Sequence, residues 1–368
     1  MNRKELHLVL IPILLLSISL VGCSQKEEAG EAMFRANQER TGVYPSGGPE
    51  AFTELVWKFK TGKAVNSSPA VSGGIVYFGS EDGYLYAVDS QTGQEKWKFQ
   101  TGSGVKSSPA VSGGIVYFGS DDDFLYALDS QTGQEKWKIQ AGNVVQSSPA
   151  VSDGLVYFGS EDGYLYAVDS QTGQEKWKFQ TDNVVQSSPA VSGGMVYFGS
   201  FDSNLFAVDS QTGQQKWKFQ TGGFVESSTA VSGGMVFFGS NDGYLYAMDA
   251  QTGQEKWKFN TGSYMSASPA VSGGMVYIQT KAEYFYALDS QTGQEKWKVK
   301  VKGGGGSSAA VSGGVVYFGT YEGYLYAVDA QTGQQKWEYK ATWIGSSPAV
   351  SGGIVYFGSE DGHLYAVK

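Results

Sequence analysis

The chain has 368 residues, a formal net charge of −9, 51 glycines, 23 tyrosines, two histidines and a single cysteine. An acidic balance of this kind gives no electrostatic basis for binding nucleic acid or anionic lipid headgroups. One cysteine forbids an intrachain disulfide, and two histidines, one of them at position 7, forbid a histidine metal cluster.

Residues 1–23 read as an export signal. Arg3 and Lys4 give a positive start, and residues 6–20 are mostly apolar. That is shorter than the ~20 apolar residues a membrane span needs. The stretch ends in Leu20-Val21-Gly22-Cys23, which resembles a bacterial lipoprotein cleavage box. The resemblance implies that residues 1–22 are removed and that Cys23 becomes the lipid-carrying N-terminus. The mature chain would then be exported and membrane-anchored, on the periplasmic side of the outer membrane in a two-membrane cell and otherwise on the outer face of the cell membrane. Residues 23–50 are expected to be a tether and N-terminal segment.

From residue 51 onward a forty-residue period governs the chain. The phrase Ala87-Val88-Asp89-Ser90-Gln91-Thr92-Gly93-Gln94-Glu95-Lys96-Trp97 is the clearest copy. Its spaced core of Ala, Asp, Gly and Trp returns from Ala127, Ala167, Ala207, Ala247, Ala287 and Ala327. Such a repeat decides the fold, and it replaces the several domains that length alone would suggest with one array.

One repeat reads as four strands. Ser68-Pro69-Ala70-Val71 is a short strand, A, followed by a Ser-Gly-Gly turn. Ile75-Val76-Tyr77-Phe78-Gly79 is strand B, and Glu81-Asp82-Gly83 is a hairpin turn. Tyr84-Leu85-Tyr86-Ala87-Val88 is strand C, and the phrase Asp89 to Gln94 turns the chain again. Glu95-Lys96-Trp97-Lys98-Phe99 is strand D. Strands B and C are apolar at consecutive positions and so are buried on both faces. D alternates and carries lysines on one face, as an outer edge does. A is short and contains proline, which suits a crowded centre. Four-stranded sheets set radially make a β-propeller.

The strand D tryptophans are Trp57, Trp97, Trp137, Trp177, Trp217, Trp257, Trp297 and Trp337. Strand A also occurs eight times, but Trp57 precedes the first A and the last repeat ends at Lys368 without a D. The prediction is an all-β, eight-bladed propeller over residues 51–368, closed by residues 54–59 as the D strand of the last blade.

The phrase A-x-D-x-x-x-G-x-x-x-W is similar to the tryptophan-docking motif of the quinoprotein (pyrroloquinoline quinone) propeller repeat family. The resemblance runs from Trp57 to Lys368 and implies that the strand D tryptophans are structural, packing between blades against the motif alanine. The family includes quinone-dependent dehydrogenases with calcium ligands, a catalytic aspartate and often paired cysteines. None of those residues can be placed on this chain, so no catalytic, metal or cofactor residue is expected, and the quinone enters by the family name alone. The family also includes BamB-type lipoproteins, non-enzymatic scaffolds of outer-membrane protein assembly, and the anchor and repeat type here resemble that branch.

Eight near-copies make an alignment within one chain. The A–B and C–D turns fall on one face of the disc and are nearly uniform. The B–C turns and D–A loops fall on the other and vary. Large apolar residues gather there in the later blades: Phe201, Phe224, Tyr264, Met265, Tyr321, Trp343 and Ile344, with Lys281 and Glu283 in the most divergent blade. Aromatic and methionine side chains on loops resemble the core of a protein-binding patch. The expected function is a monomeric, lipid-anchored scaffold that binds protein or peptide through this face. An exported quinone-dependent oxidoreductase and a small-ligand or glycan receptor using the central channel are the alternatives.

Overall fold

The turn residues dictate the sheets. Gly73 and Gly74 both take positive φ, 56° and 74°, which glycine adopts without a Cβ clash. The resulting two-residue hairpin sets Ser72 opposite Ile75. In the C–D turn the Asp89 carboxylate accepts the amides of Gln91 and Thr92 and the Thr92 hydroxyl, at 3.0–3.1 Å, and pairs with Lys96 at 3.1 Å. The same turn recurs in each complete copy, as at Asp129 and Asp249.

A computed structural model describes residues 31–368 and shows eight four-stranded antiparallel sheets. Residues 1–22 and Cys23, read above as signal and lipid-attachment site, lie outside the described residues. Blade 1 comprises strands A (Ala70–Ser72), B (Ile75–Gly79), C (Tyr84–Asp89) and D (Glu95–Gln100). Blades 2 to 7 repeat it, ending with D strands at Gln140, Gln180, Gln220, Asn260, Lys300 and Lys340. Blade 8 takes A, B and C from Ala349–Ser351, Ile354–Ser359 and His363–Val367, and its D strand from Leu55–Lys60. Lys60 pairs with His363 and Leu55 with Val367, so the two ends of the propeller close one sheet as predicted.

The core lies in the seams between blades. Trp97 and Phe99 of blade 1, for example, pack with Leu85 and Ala87 against Phe118, Tyr126 and Leu128 of blade 2. Within its own blade Trp97 stands opposite Ala87. Across the seam its indole lies over a glycine of the next C–D turn. A Cβ on Gly93, Gly133, Gly173, Gly213, Gly253, Gly293 or Gly333 would stand 2.6–2.7 Å from the indole of Trp57, Trp97, Trp137, Trp177, Trp217, Trp257 or Trp297. Each of these indoles also donates to a backbone carbonyl of that turn, from Trp57 to Ser90 through Trp297 to Ala330, at 3.0–3.1 Å. The docking surface is therefore the next blade's turn, and the motif alanine is the tryptophan's partner within the sheet.

At the axis the amide of Ser68 donates to the hydroxyl of Ser108. The bond steps on through Ser148, Ser188, Ser228, Ser268, Ser308 and Ser347 and back to Ser68, at 2.8–3.0 Å throughout. This closed ring satisfies amides where the inner strands are too short to do so themselves.

Residues 31–50, expected as tether and N-terminal segment, fold over the channel on the A–B face. The inner-strand amides of Val191, Val231, Val271 and Val311 donate to the carbonyls of Gln38, Glu39, Thr41 and Gly42, each at 2.8 Å. Ala32 and Met33 are buried, as are Arg35 and Arg40. The Arg40 guanidinium donates to the carbonyls of Pro189, Ser148, Pro149 and Phe34 at 2.8–3.0 Å. Arg35 donates to the carbonyl of Pro269. Burial pulls the pKa of both arginines down to about 9, so both stay cationic at neutral pH; carbonyl oxygens solvate Arg40, whereas Nε and Nη1 of Arg35 have no partner among the described residues.

Candidate protein-interaction face

The variable face is built on a second ring of backbone bonds. The first residue of each B–C turn donates its amide to the D–A loop beside it: Glu81 to Ala64, Asp121 to Gly104, Glu161 to Val144 and Phe201 to Val184. The series continues from Asn241 to Phe224, Lys281 to Tyr264, Tyr321 to Gly304 and Glu360 to Trp343, over 2.8–3.4 Å. The two loop types are thereby interleaved around the channel mouth, and two side-chain positions per blade are held at equivalent places.

Those positions divide the face into two arcs. Blades 8, 1, 2 and 3 present Glu360, Glu81, Asp121 and Glu161. Blades 4 to 7 present Phe201, Phe224, Tyr264, Lys281 and Tyr321, with Trp343 on the loop into blade 8. Phe201 and Phe224 stack at 5.1 Å with an interplanar angle of 3°. Tyr321 and Trp343 meet edge-on at 4.9 Å and 84°. Between these pairs Phe224, Tyr264, Lys281, Asn241 and Ser203 line a shallow depression of about 390 Å³. Phe224, Tyr264 and Trp343 are 46%, 63% and 42% exposed, three of the five large apolar side chains so exposed among the described residues. Phe201 and Tyr321 are half-buried, as is Glu283, while Lys281 is exposed. Glu283 turns away from the aromatic arc and pairs with Lys300 at 3.7 Å. It holds φ at 62°, where most other blades use glycine.

Two residues expected on this patch belong to the core. Met265 and Ile344 are both 0% exposed. Their position in the D–A loop dips inward, as Val65, Val105, Val145, Val185 and Val225 do, and packs on a strand B glycine of the preceding blade in sequence. Val105 meets Gly79, Met265 meets Gly239 and Ile344 meets Gly319. A loop position is not always an exposed one, and the aligned valines of the earlier blades carry the signal of burial.

The acidic arc is tied together by side chains of the D–A loops, of which Asn66, Gln146 and Gln186 belong to no motif. Asn66 donates to Glu81 at 3.0 Å, Gln146 to Asp121 at 3.0 Å, and Gln186 to Gln146 at 2.7 Å. Lys106 pairs with Asp121 at 3.1 Å. Burial alone would lower the Lys106 pKa, but its bond to Asp121 and the nearby Glu81 and Glu161 raise it. Glu161 is pushed up by burial and by Asp121. The arc is a preorganised negative surface with one internal cation. Among the described residues, no three His, Cys, Asp or Glu side chains converge as metal ligands would.

The family model described as outer membrane protein assembly factor BamB matches residues 51–148, 125–228, 219–341 and 286–368, the whole propeller. The chain belongs to this family of quinoprotein-type repeat propellers. No curated protein sequence matches the chain. Solved structures share the fold. BamB from Moraxella catarrhalis superposes with a TM-score of 0.71 at 17% identity, over 86% of this chain and 99% of that one. The quinohemoprotein alcohol dehydrogenase of Comamonas testosteroni gives 0.78 at 16% identity, over 91% and 80%. A europium-containing methanol dehydrogenase gives 0.77 at 17% identity, over 93% and 90%. At such identities the likeness is one of fold. BamB-type propellers and quinoprotein dehydrogenases share this architecture, so function rests on the side chains of the site.

Proposed function

We propose that the protein is an exported scaffold, held to the membrane by lipid on Cys23, that binds a protein or peptide partner through its variable face. The observation that carries this reading is the aromatic arc. Two ring pairs and Tyr264 are displayed on loops whose backbone is bonded into a rigid ring, beside an acidic arc. Exposed aromatic anchors on a preorganised surface are the usual source of affinity in protein interfaces, at about 2 kcal/mol or more for each central residue. The opposite mouth of the channel is covered by residues 31–50, which favours the loop face over a ligand site running through the disc. The family match supports a partner in outer-membrane protein assembly, and a monomer acting without cofactor is part of the same proposal.

Replacing Phe224, Tyr264 and Trp343 together with serine tests it. Partner recovery from native membranes should fall at least tenfold while the melting temperature stays within about two degrees. Undiminished recovery with a folded variant overturns the proposal.

A further inference from the structure

The N-terminal segment meets the propeller near the axis of the disc. Ala32 forms an antiparallel bridge with Val111 of the inner strand of blade 2, Ala110–Ser112, and its amide donates to the Val111 carbonyl at 2.9 Å. That strand runs toward its A–B turn. Stepping back from Ala32 to Glu31 therefore follows Val111 to Ser112, out through the A–B face. Glu31 marks the exit by accepting the Ser112 hydroxyl at 3.1 Å. The two faces also differ in charge. On the A–B face the aspartate of every complete C–D turn pairs with a lysine, from Asp89 with Lys96 to Asp329 with Lys336. On the rim Lys98, Lys138, Lys178, Lys258 and Lys298 each pair with a glutamate of their own strand. The loop face sets Glu81, Asp82, Asp121, Asp122, Glu161 and Asp162, in three successive blades, against Lys63 and Lys106.

We propose that the protein stands on the membrane with its A–B face toward the bilayer and its variable face turned away from it. The proposal rests on the reading of Cys23 as the lipid-bearing residue and goes from anchorage to orientation. Eight residue steps separate Cys23 from Glu31, and they span at most ~29 Å fully extended. To bring the variable face to the bilayer, that length would have to pass outward from strand A to strand D and then along the depth of the disc. Neighbouring strands lie ~4.8 Å apart, so three spacings take about 14 Å. The six-residue D strand Glu135–Gln140 adds about 20 Å at ~3.3 Å per residue. The path of about 34 Å exceeds the tether even before the D–A loops are rounded. Charge acts in the same sense, because a bilayer containing anionic lipid repels the acidic loop face more than the ion-paired A–B face. The aromatic arc is thereby held about 20 Å or more above the lipid, and its partner is a water-exposed polypeptide, clear of the bilayer.

Full-length lipidated protein tests the orientation in vesicles of phosphatidylcholine and phosphatidylglycerol that carry a rhodamine-labelled lipid. Cys23 is the only cysteine in the chain, and lipid takes up its thiol, so one added cysteine accepts a donor dye at one place. Gln91→Cys and Gln251→Cys put the dye on exposed C–D turns of blades 1 and 5, on opposite sides of the disc. Lys63→Cys and Asn183→Cys put it on exposed D–A loops. Energy transfer to the labelled lipid should be faster by about threefold or more from both turn positions than from both loop positions. Equal transfer from the two faces, stronger transfer from the loops, or transfer that follows the blade instead of the face would each overturn the proposal. Two positions per face keep the comparison if one variant folds poorly. Mass spectrometry of the N-terminal peptide reads lipidation separately. A chain without acyl groups on Cys23 defeats the anchoring itself, whereas an acylated chain with the wrong transfer pattern defeats the orientation alone.

Discussion

The indole of Trp337 donates to the carbonyl of Pro49 at 3.0 Å, and the Tyr317 hydroxyl donates to the same oxygen at 3.0 Å. In the seam between blades 8 and 1 the carbonyl of Ser90 accepts from Trp57 and Tyr356 in the same way. Blade 8 ends at Lys368 and has no C–D turn, so the N-terminal segment supplies the oxygen that the missing turn would have held. Glu50 adds an ion pair with Lys336 at 3.6 Å, beside the one Lys336 makes with Asp329 of its own blade at 3.9 Å. Deleting residues 1–53 should therefore lower stability by about 2–6 kcal/mol, since the two donors, Trp337 and Tyr317, lose their partner and a buried donor without one costs about 1–3 kcal/mol. Deleting through Lys60 removes a whole strand and should abolish cooperative unfolding. Thermal unfolding of the two truncations, followed by circular dichroism, separates these steps, and equal melting of both would disprove ring closure.

Trp217 and Gly253 form one docking unit. Trp217→Ala should cost about 3–5 kcal/mol, the range for large aromatic truncations in a core. Gly253→Ala should cost about 1–3 kcal/mol through overpacking, because its φ is 69° and a Cβ would lie 2.6 Å from the indole. Because both substitutions strike one contact, the double variant should lose less than the sum. Urea denaturation of the three variants measures the coupling, and strict additivity would contradict it.

Blade 6 exchanges two side chains across one contact. Elsewhere a strand B glycine faces a bulky loop residue, as Gly199 faces Val225. In blade 6 Gln279 stands at the glycine position and Gly305 at the bulky one, and a Cβ on Gly305 would overlap the Gln279 side chain. The Gln279 amide is buried without a partner among the described residues. Gly305→Val should destabilise by about 1–3 kcal/mol through overpacking. Adding Gln279→Gly restores the arrangement of the sister blades and should recover most of that loss. If the double variant is the less stable, this pairing is wrong.

The C–D turns set the acid limit. Asp209 is held down to about 2 by its bonds to Lys216 and Thr212, Asp249 to about 2 by the Thr252 amide and Lys256, and Asp289 to about 2 by Lys296 and Thr292. An ordinary aspartate titrates near ~3.9, so the folded turns bind protons less readily than the unfolded chain. Their contribution is complete above about pH 4 and is lost as pH falls through about 2. At the alkaline end burial pushes Tyr77, Tyr117 and Tyr157 up to about 12. Their neutral form contributes stability that is complete below about pH 10 and is lost as pH rises from there through about 12. Melting temperature should be level from pH 5 to 9 and fall on both sides, and a protein equally stable at pH 2.5 and pH 6 would refute the acid arm.

The acidic arc makes a prediction about the partner. Glu81→Gln, Glu161→Gln and Glu360→Gln together should weaken the partner and flatten the salt dependence of its binding, because exposed charges are screened over about 10 Å at 0.1 M salt. Binding at 50 and 300 mM salt checks this. An unchanged salt slope would show that the arc does not face the partner.

The amino-acid sequence alone determined the all-β architecture, the count of eight blades, the closure by residues 54–59 and the division into a uniform and a variable face. Each of these follows from a local environment repeated eight times, and repetition exposes it. The path of residues 31–50 was decided only in three dimensions. That segment has no copy elsewhere in the chain, and its arginines find carbonyl partners on Ser148, Pro149, Pro189 and Pro269, far away in the chain. Burial of Met265 and Ile344 also needed the folded chain, because a side chain turned inward from a loop is fixed by the glycine opposite it.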